Sequence, residues 1–259
     1  MRFVPPQLFV AAAAAWLAAT TAGAQTLSVA AASDLLAALP AIAAGFEKNT
    51  GHKVAVTFGS SGNFFTQIQN GAPFDVLLSA DIDYPRRLER SGEAEPGSLH
   101  AYANGRIVLW TRGDSGIDLR NGLAVLASPE VRRIAIANPE HAPYGRAAVA
   151  ALRREHLYEQ VQDKLVRGEN VSQAAQFAQS GNADVGIVAL SLALAPALKN
   201  AGTFVEIPES LYPAIEQAGV VVAASKRKQT AHAFLQFLEN AESVRILETF
   251  GFAPPRTPH

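Results

Sequence analysis

The sequence predicts an α/β protein of two lobes, each a parallel-type sheet flanked by helices, with two crossings between the lobes. Three observations lead there. Short apolar or β-branched runs alternate with stretches of helical spacing, first as β-α-β-α-β over residues 27–79 and then as a second set from 106 onward. That alternation places helices on both faces of a sheet of parallel strands. Finally, 259 residues at 49% hydrophobic and 17% charged provide core for one large or two modest domains, and no Pro-, Gly- or Ser-rich run separates free units.

Residues 1–24, MRFVPPQLFVAAAAAWLAATTAGA, stand apart from that pattern. Arg2 supplies a small positive start, residues 8–19 are uncharged and apolar, and Ala22-Gly23-Ala24 is an A-x-A site. The run is short for a membrane span, and the order is that of a signal peptide cleaved after Ala24. No later stretch approaches 18 uncharged apolar residues. The expected mature chain begins at Gln25, carries 21 basic against 23 acidic residues, and is exported to the periplasm.

Within it, 27–31 is a strand and 34–48 a helix, whose Leu35, Leu36, Leu39, Ile42, Ala43 and Phe46 share one face. Residues 54–58 are β-branched and aromatic, a second strand; 62–70 form a helix and 75–79 a third strand. The second set has strands at 106–111, 133–137, 185–189 and 204–207, with helices at 145–156 and 172–180. A strand at 219–224 and helices near 226–239 and 241–250 return to the first lobe. Crossings near 103–105 and 212–218 then divide the chain into lobe 1 (25–103 plus 218–259) and lobe 2 (104–217). A cleft between such lobes is a usual place for a ligand.

Composition narrows the chemistry. Lys+Arg is 22 and Asp+Glu 23, so no basic excess serves a nucleic acid. The absence of cysteine excludes disulfides, cysteine-ligated zinc, iron–sulfur clusters, a cysteine nucleophile and a lipid-anchored form. In a parallel α/β sheet the binding groups lie in the turns after the strands. Four turns lead into helices: Ala30-Ala-Ala-Ser33-Asp34, Phe58-Gly-Ser60-Ser61-Gly-Asn63, Asn138-Pro-Glu-His-Ala-Pro143-Tyr144-Gly145 and Glu169-Asn-Val171-Ser172. Each helix start offers unpaired N–H groups and a partial positive charge. Ser33 and Ser61 add hydroxyls in the usual position of N-caps, and Pro143 precedes donors free to face a ligand. Together they describe a cage of neutral donors for an anion. Asp34, in the first turn, is expected to favour the helix dipole and point to solvent.

The segments Val29-Ala-Ala-Ala-Ser-Asp-Leu35, Phe58-Gly-Ser-Ser-Gly62, Gly71-Ala-Pro-Phe-Asp-Val76, Ser79-Ala-Asp81, Ala137-Asn-Pro-Glu-His-Ala-Pro-Tyr-Gly145, Asn182-Ala-Asp-Val-Gly-Ile-Val188 and Phe250-Gly-Phe252 occur in order along nearly the whole mature chain. As a set they resemble the periplasmic molybdate-binding proteins of ABC importers, the ModA family. The resemblance implies a type II periplasmic binding fold, with molybdate or tungstate held between the lobes and no cofactor. Ser33 and Ser61 match serines that bind through hydroxyl and N–H; Tyr144 and Val171 match positions that bind through N–H. The metal arrives inside its oxyanion, and Asp34, Ser60 and Ala189 are possible additional contacts. The implied partners are a permease and a separate cytoplasmic ATPase, and the protein is expected to be a monomer.

Three positions depart from the family. Ala189 stands where many members carry a tyrosine that reaches the anion, Tyr144 where alanine is common, and Gln217-Ala218 where Tyr-Pro is expected. The expectation is that the hydroxyl or ring of Tyr144 closes the space that Ala189 leaves. A cage lacking carboxylates favours a fully deprotonated dianion, with cavity size separating sulfate from molybdate.

Two other readings compete. An enzyme (a hydrolase or isomerase) lacks its signature: no Gly-x-Ser-x-Gly, P-loop, Gly-x-Gly-x-x-Gly or His-Glu-x-x-His occurs, and the histidines at 52, 100, 141, 156, 232 and 259 show no ligand spacing. Ser61 has no visible base, and His141 reads as an exposed loop residue. A binder of another solute (sulfate, phosphate, a carboxylate) remains open, because fold does not fix ligand. Arg146 is the nearest cation for an organic acid and is expected to face solvent.

Overall fold

The structure, a computed structural model, describes residues 26–255; the leader and its cleavage site lie outside the described residues. The first lobe opens with β1 (Thr26–Ala32), α1 (Leu39–Thr50), β2 (Lys53–Gly59), α2 (Ser61–Gln69), β3 (Val76–Ser79), α3 (Asp83–Ser91) and β4 (His100–Gly105). The second takes β5 (Ile107–Arg112), β6 (Ile134–Ala137), α4 (Pro143–Arg154), α5 (Tyr158–Val161), β7 (Leu165–Gly168), α6 (Val171–Ser180), β8 (Val185–Ala189), α7 (Leu190–Ala193), α8 (Pro196–Lys199) and β9 (Gly202–Glu206). The chain returns through β10 (Ile215–Val221) and ends in α9 (Lys228–Phe237) and α10 (Ala241–Thr249).

Two five-stranded sheets result, in the orders β2-β1-β3-β10-β4 and β7-β6-β8-β5-β9. The two-lobe α/β architecture is the expected one, but the sheets are mixed. β10 runs antiparallel to β3 and β4, and β5 runs antiparallel to β8 and β9. These strands carry the crossings: each enters its sheet from the cleft, where the parallel strands end.

Both faces of the first sheet are covered, so its inner strand β1 carries apolar side chains toward both sides. Leu27, Val29 and Ala31 of β1 pack with Phe46, Phe234 and Leu247 from α1, α9 and α10. Ala30 faces the other way, onto Phe64, Phe65 and Leu88 from α2 and α3. The helix expected at 34–48 is two pieces. Residues 33–36 make a 3-10 turn, and α1 starts afresh at Leu39. Pro40 explains the break: it lacks the N–H that a continuous helix would bond to Leu36, and it suits a first turn. Among the unexpected elements, β4 and β7 lie at sheet edges, and α3 is a mostly charged helix whose few apolar residues, Tyr84, Pro85 and Leu88, carry its buried face.

Asp75 fastens the start of β3. It is buried, accepts from Ser28 N at 2.8 Å and from Ser225 Oγ at 2.7 Å, and pairs with Arg227 at 3.1 Å. Arg227 is part-exposed, which screens the ion pair, so the cost of losing Asp75 lies mostly in the orphaned partners. Asp75→Ala is expected to lower the unfolding free energy by about 2–3 kcal/mol in urea titrations; a change within the scatter of surface substitutions would refute this role.

Candidate anion-binding site

The turns after β1, β2, β6 and β7 meet around one small cavity. Ser33 and Asp34 border it from the first turn, Ser60 and Ser61 from the second, Pro143 and Tyr144 from the third, Asn170 and Val171 from the fourth. Ala189, fully buried at the end of β8, is not part of the lining. Among the described residues no lysine or arginine borders the cavity.

Local hydrogen bonding sets which donors stay free. Ser61 and Val171 are the first residues of α2 and α6, and Tyr144 is the second of α4, so none of their N–H groups has an acceptor in its own helix. The next groups are occupied. Asn63 N donates to Ser60 Oγ at 3.3 Å, and Gly145 N to Ala142 O at 3.0 Å. Ser172 N and Gln173 N each donate to Asn170 Oδ1 at 3.1 Å. The side-chain cap of α2 is therefore Ser60, not Ser61; Ser61 Oγ instead accepts from Ala80 N at 2.9 Å. Ser33 begins the 3-10 turn, and its Oγ accepts from Ser172 N of the opposite lobe at 3.3 Å.

A seam of contacts between the lobes surrounds these turns. Gly62 N donates to His141 O at 2.9 Å, an approach so close that a β-carbon on Gly62 would fall 2.6 Å from that oxygen. His141 is no exposed loop residue: its side chain is 20% exposed, and Nδ1 lies 2.8 Å from Ser60 Oγ. Asn138 Nδ2 donates to Nε2 at 3.1 Å, which makes Nδ1–H the donor to Ser60. Arg146 also departs from expectation. It reaches across to pair with Asp81 and donates to Tyr84 OH at 3.2 Å, rather than facing solvent alone.

Asp34 is the largest correction. It is 0% exposed. Its Oδ2 accepts from Tyr144 OH at 3.0 Å and from Gln217 Nε2 at 2.5 Å. Tyr102 OH donates to Gln217 Oε1 at 2.9 Å, which turns the amide nitrogen toward Asp34. Ser191 Oγ donates to the Asp34 main-chain oxygen at 2.7 Å. Burial pushes the Asp34 carboxyl up to about 6, against the lowering effect of Gln217, Tyr144 and the nearby N–H groups of Asp34 and Leu35. Burial, with Asp34 beside them, also holds the Tyr144 and Tyr102 hydroxyls well above the usual phenol range. The Tyr144 hydroxyl is thus spent on Asp34 rather than on the space beside Ala189. Gln217 and Tyr102 were not singled out as site-forming residues by sequence reasoning. The available signal was the polar Gln217 inside the strand Ile215–Val221.

The chain matches the sequence profile of bacterial extracellular solute-binding proteins over residues 27–253. It is 39% identical to the molybdate-binding protein ModA of Azotobacter vinelandii, covering 94% of this chain and 96% of that one. The ModA of Rhodobacter capsulatus is also 39% identical, over 86% and 89% of the two chains. A solved Azotobacter vinelandii periplasmic molybdate-binding protein superposes with a TM-score of 0.83 at 37% identity, over 89% of this chain and all of that one. These are solute-binding proteins, not enzymes, and the Ser60–His141 pair is a contact between lobes. The chain belongs to the ModA family of bacterial extracellular solute-binding proteins.

Proposed function

We propose that this protein binds molybdate, and tungstate with it, in the periplasm and delivers it to an ABC import permease driven by a separate ATPase. One observation carries the reading: four helix-start turns, two from each lobe, surround one small cavity that no cation borders. The N–H groups of Ser33, Ser61, Tyr144 and Val171, with the hydroxyls of Ser33 and Ser61, form the donor set. Asp34 and Ser60 stand beside it. Each hydrogen bond to a charged oxygen contributes roughly 1.5–3 kcal/mol, and a set of them offsets the anion's lost hydration. Ala189 has no part in the set. The protein works as a monomer whose leader is removed after Ala24.

The mechanism follows from the division of donors. One lobe captures the anion; the other completes the cage on closure, so the ligand favours the closed form by its greater affinity for it. The seam from Gly62 to His141 and from Asp81 to Arg146 then excludes water, and the closed surface is what a permease meets.

Saturating molybdate or tungstate is expected to raise the melting temperature, with about 4 kcal/mol of added stability at a thousandfold excess over Kd. Scanning calorimetry reads this; no shift with either anion would refute the reading. Competition with sulfate and phosphate is expected to leave molybdate bound, and equal affinity for sulfate would assign the site to oxyanions at large. Gly62→Ala is expected to hold the lobes apart at His141 and weaken binding at least tenfold, about 1.4 kcal/mol, its β-carbon also pressing on the Tyr84 hydroxyl of its own lobe. Unchanged affinity in isothermal titration would remove the closing contact from the mechanism.

A further inference from the structure

We infer that Asp34 enters the ligand site as a neutral carboxylic acid, so that the protein takes up about one proton with each dianion it binds. The inference rests on the reading of this cavity as an oxyanion site. Its basis is the geometry of one side chain. Asp34 borders the cavity and is wholly buried. Its Oδ2 is filled by two donors, Tyr144 OH and Gln217 Nε2. Its Oδ1 is buried with no hydrogen-bond partner. A carboxylate oxygen left bare in a dry site is costly unless it carries a proton and finds an acceptor. An oxyanion in the cage is that acceptor: Oδ1–H donates to an anion oxygen, and the metal is not touched.

The alternative ionisation puts a carboxylate against a dianion with no cation between them, two like charges in a water-poor cavity. The groups facing Asp34 are hydrogen-bond donors that ease its charge in part, together with the N–H groups of Asp34 and Leu35, but none is a cation. They are Tyr144 from α4, Gln217 from β10 and Ser191 from α7, with Tyr102 of β4 behind Gln217. Both tyrosines stay protonated, held high by burial. His141 is the nearby titratable group, and it faces Ser60. With Tyr144 and Gln217 packed on it as in this structure, the Asp34 carboxyl is pushed up to about 6 by burial. Below that pH the proton is already present and affinity is flat. Above it, binding must bring the proton in, and affinity falls about tenfold per pH unit.

The test is titration calorimetry with tungstate from pH 5.5 to 8.5, in buffers of different ionisation enthalpy, on the parent and on Asp34→Asn and His141→Gln. The parent is expected to take up about one proton at pH 7.5, and H141Q to keep that uptake. D34N, which keeps a neutral donor of the same shape, is expected to show no uptake and to bind about a hundred times tighter than the parent at pH 8. The free D34N protein is also expected to melt higher at pH 7.5. The parent's raised Asp34 stabilises it below the unfolded value of 3.8, and that contribution is lost as pH rises through about 6. Tungstate binding with no proton uptake, or uptake that persists in D34N, overturns this inference alone. Proton release, with phosphate bound tighter than tungstate, overturns it in favour of a charged acceptor. Failure of tungstate to bind at any pH overturns the oxyanion reading as well.

Discussion

The cleft depends on one constraint: N–H groups that belong to separate helices, in separate lobes, must reach the same point. A helix start is a weak anion site alone, because its partial charge fades within a turn. Here α2 meets α4 and α6 head to head. The strands before them end at the cleft, so the turns after β1, β2, β6 and β7 are delivered to the same small volume. Among the described residues no cationic side chain enters the lining, and the ion pair of Arg146 with Asp81 lies beside the cage rather than in it.

Much of this was legible in the sequence because it is local. Apolar periodicity locates β1 through β3, and the turn before each helix marks where unpaired N–H groups gather; Ser33 and Ser61 stand out in such turns, whereas Tyr144 and Val171 enter as binding positions through the resemblance to the ModA family. Strand direction was less legible. β5 and β10 have the composition of their parallel neighbours and differ only in arriving from the opposite lobe, a property of topology. Pro40 is an instructive miss: the apolar spacing runs through it, but its missing N–H does not allow the helix to do so.

Asp34 was misread for a physical reason. Local rules send an acid at a helix start outward to water, where it complements the dipole. The fold overrides them by bringing Tyr144 from one side and Gln217 from another onto the same oxygen. His141 was misread likewise, since the groups that hold it, Ser60 and the Gly62 amide, lie about eighty residues away. Loop residues at a cleft acquire their environment from the facing lobe, and no window of sequence contains both halves.

The two crossings lie side by side. Gly105 at the end of β4 is paired with Ile215 at the start of β10, and Val108 near the start of β5 with Glu206 at the end of β9. With both connections paired at one place, the two lobes share a single line of attachment, so the mutual alignment of the helix tips is referred to that line rather than to two separate tethers.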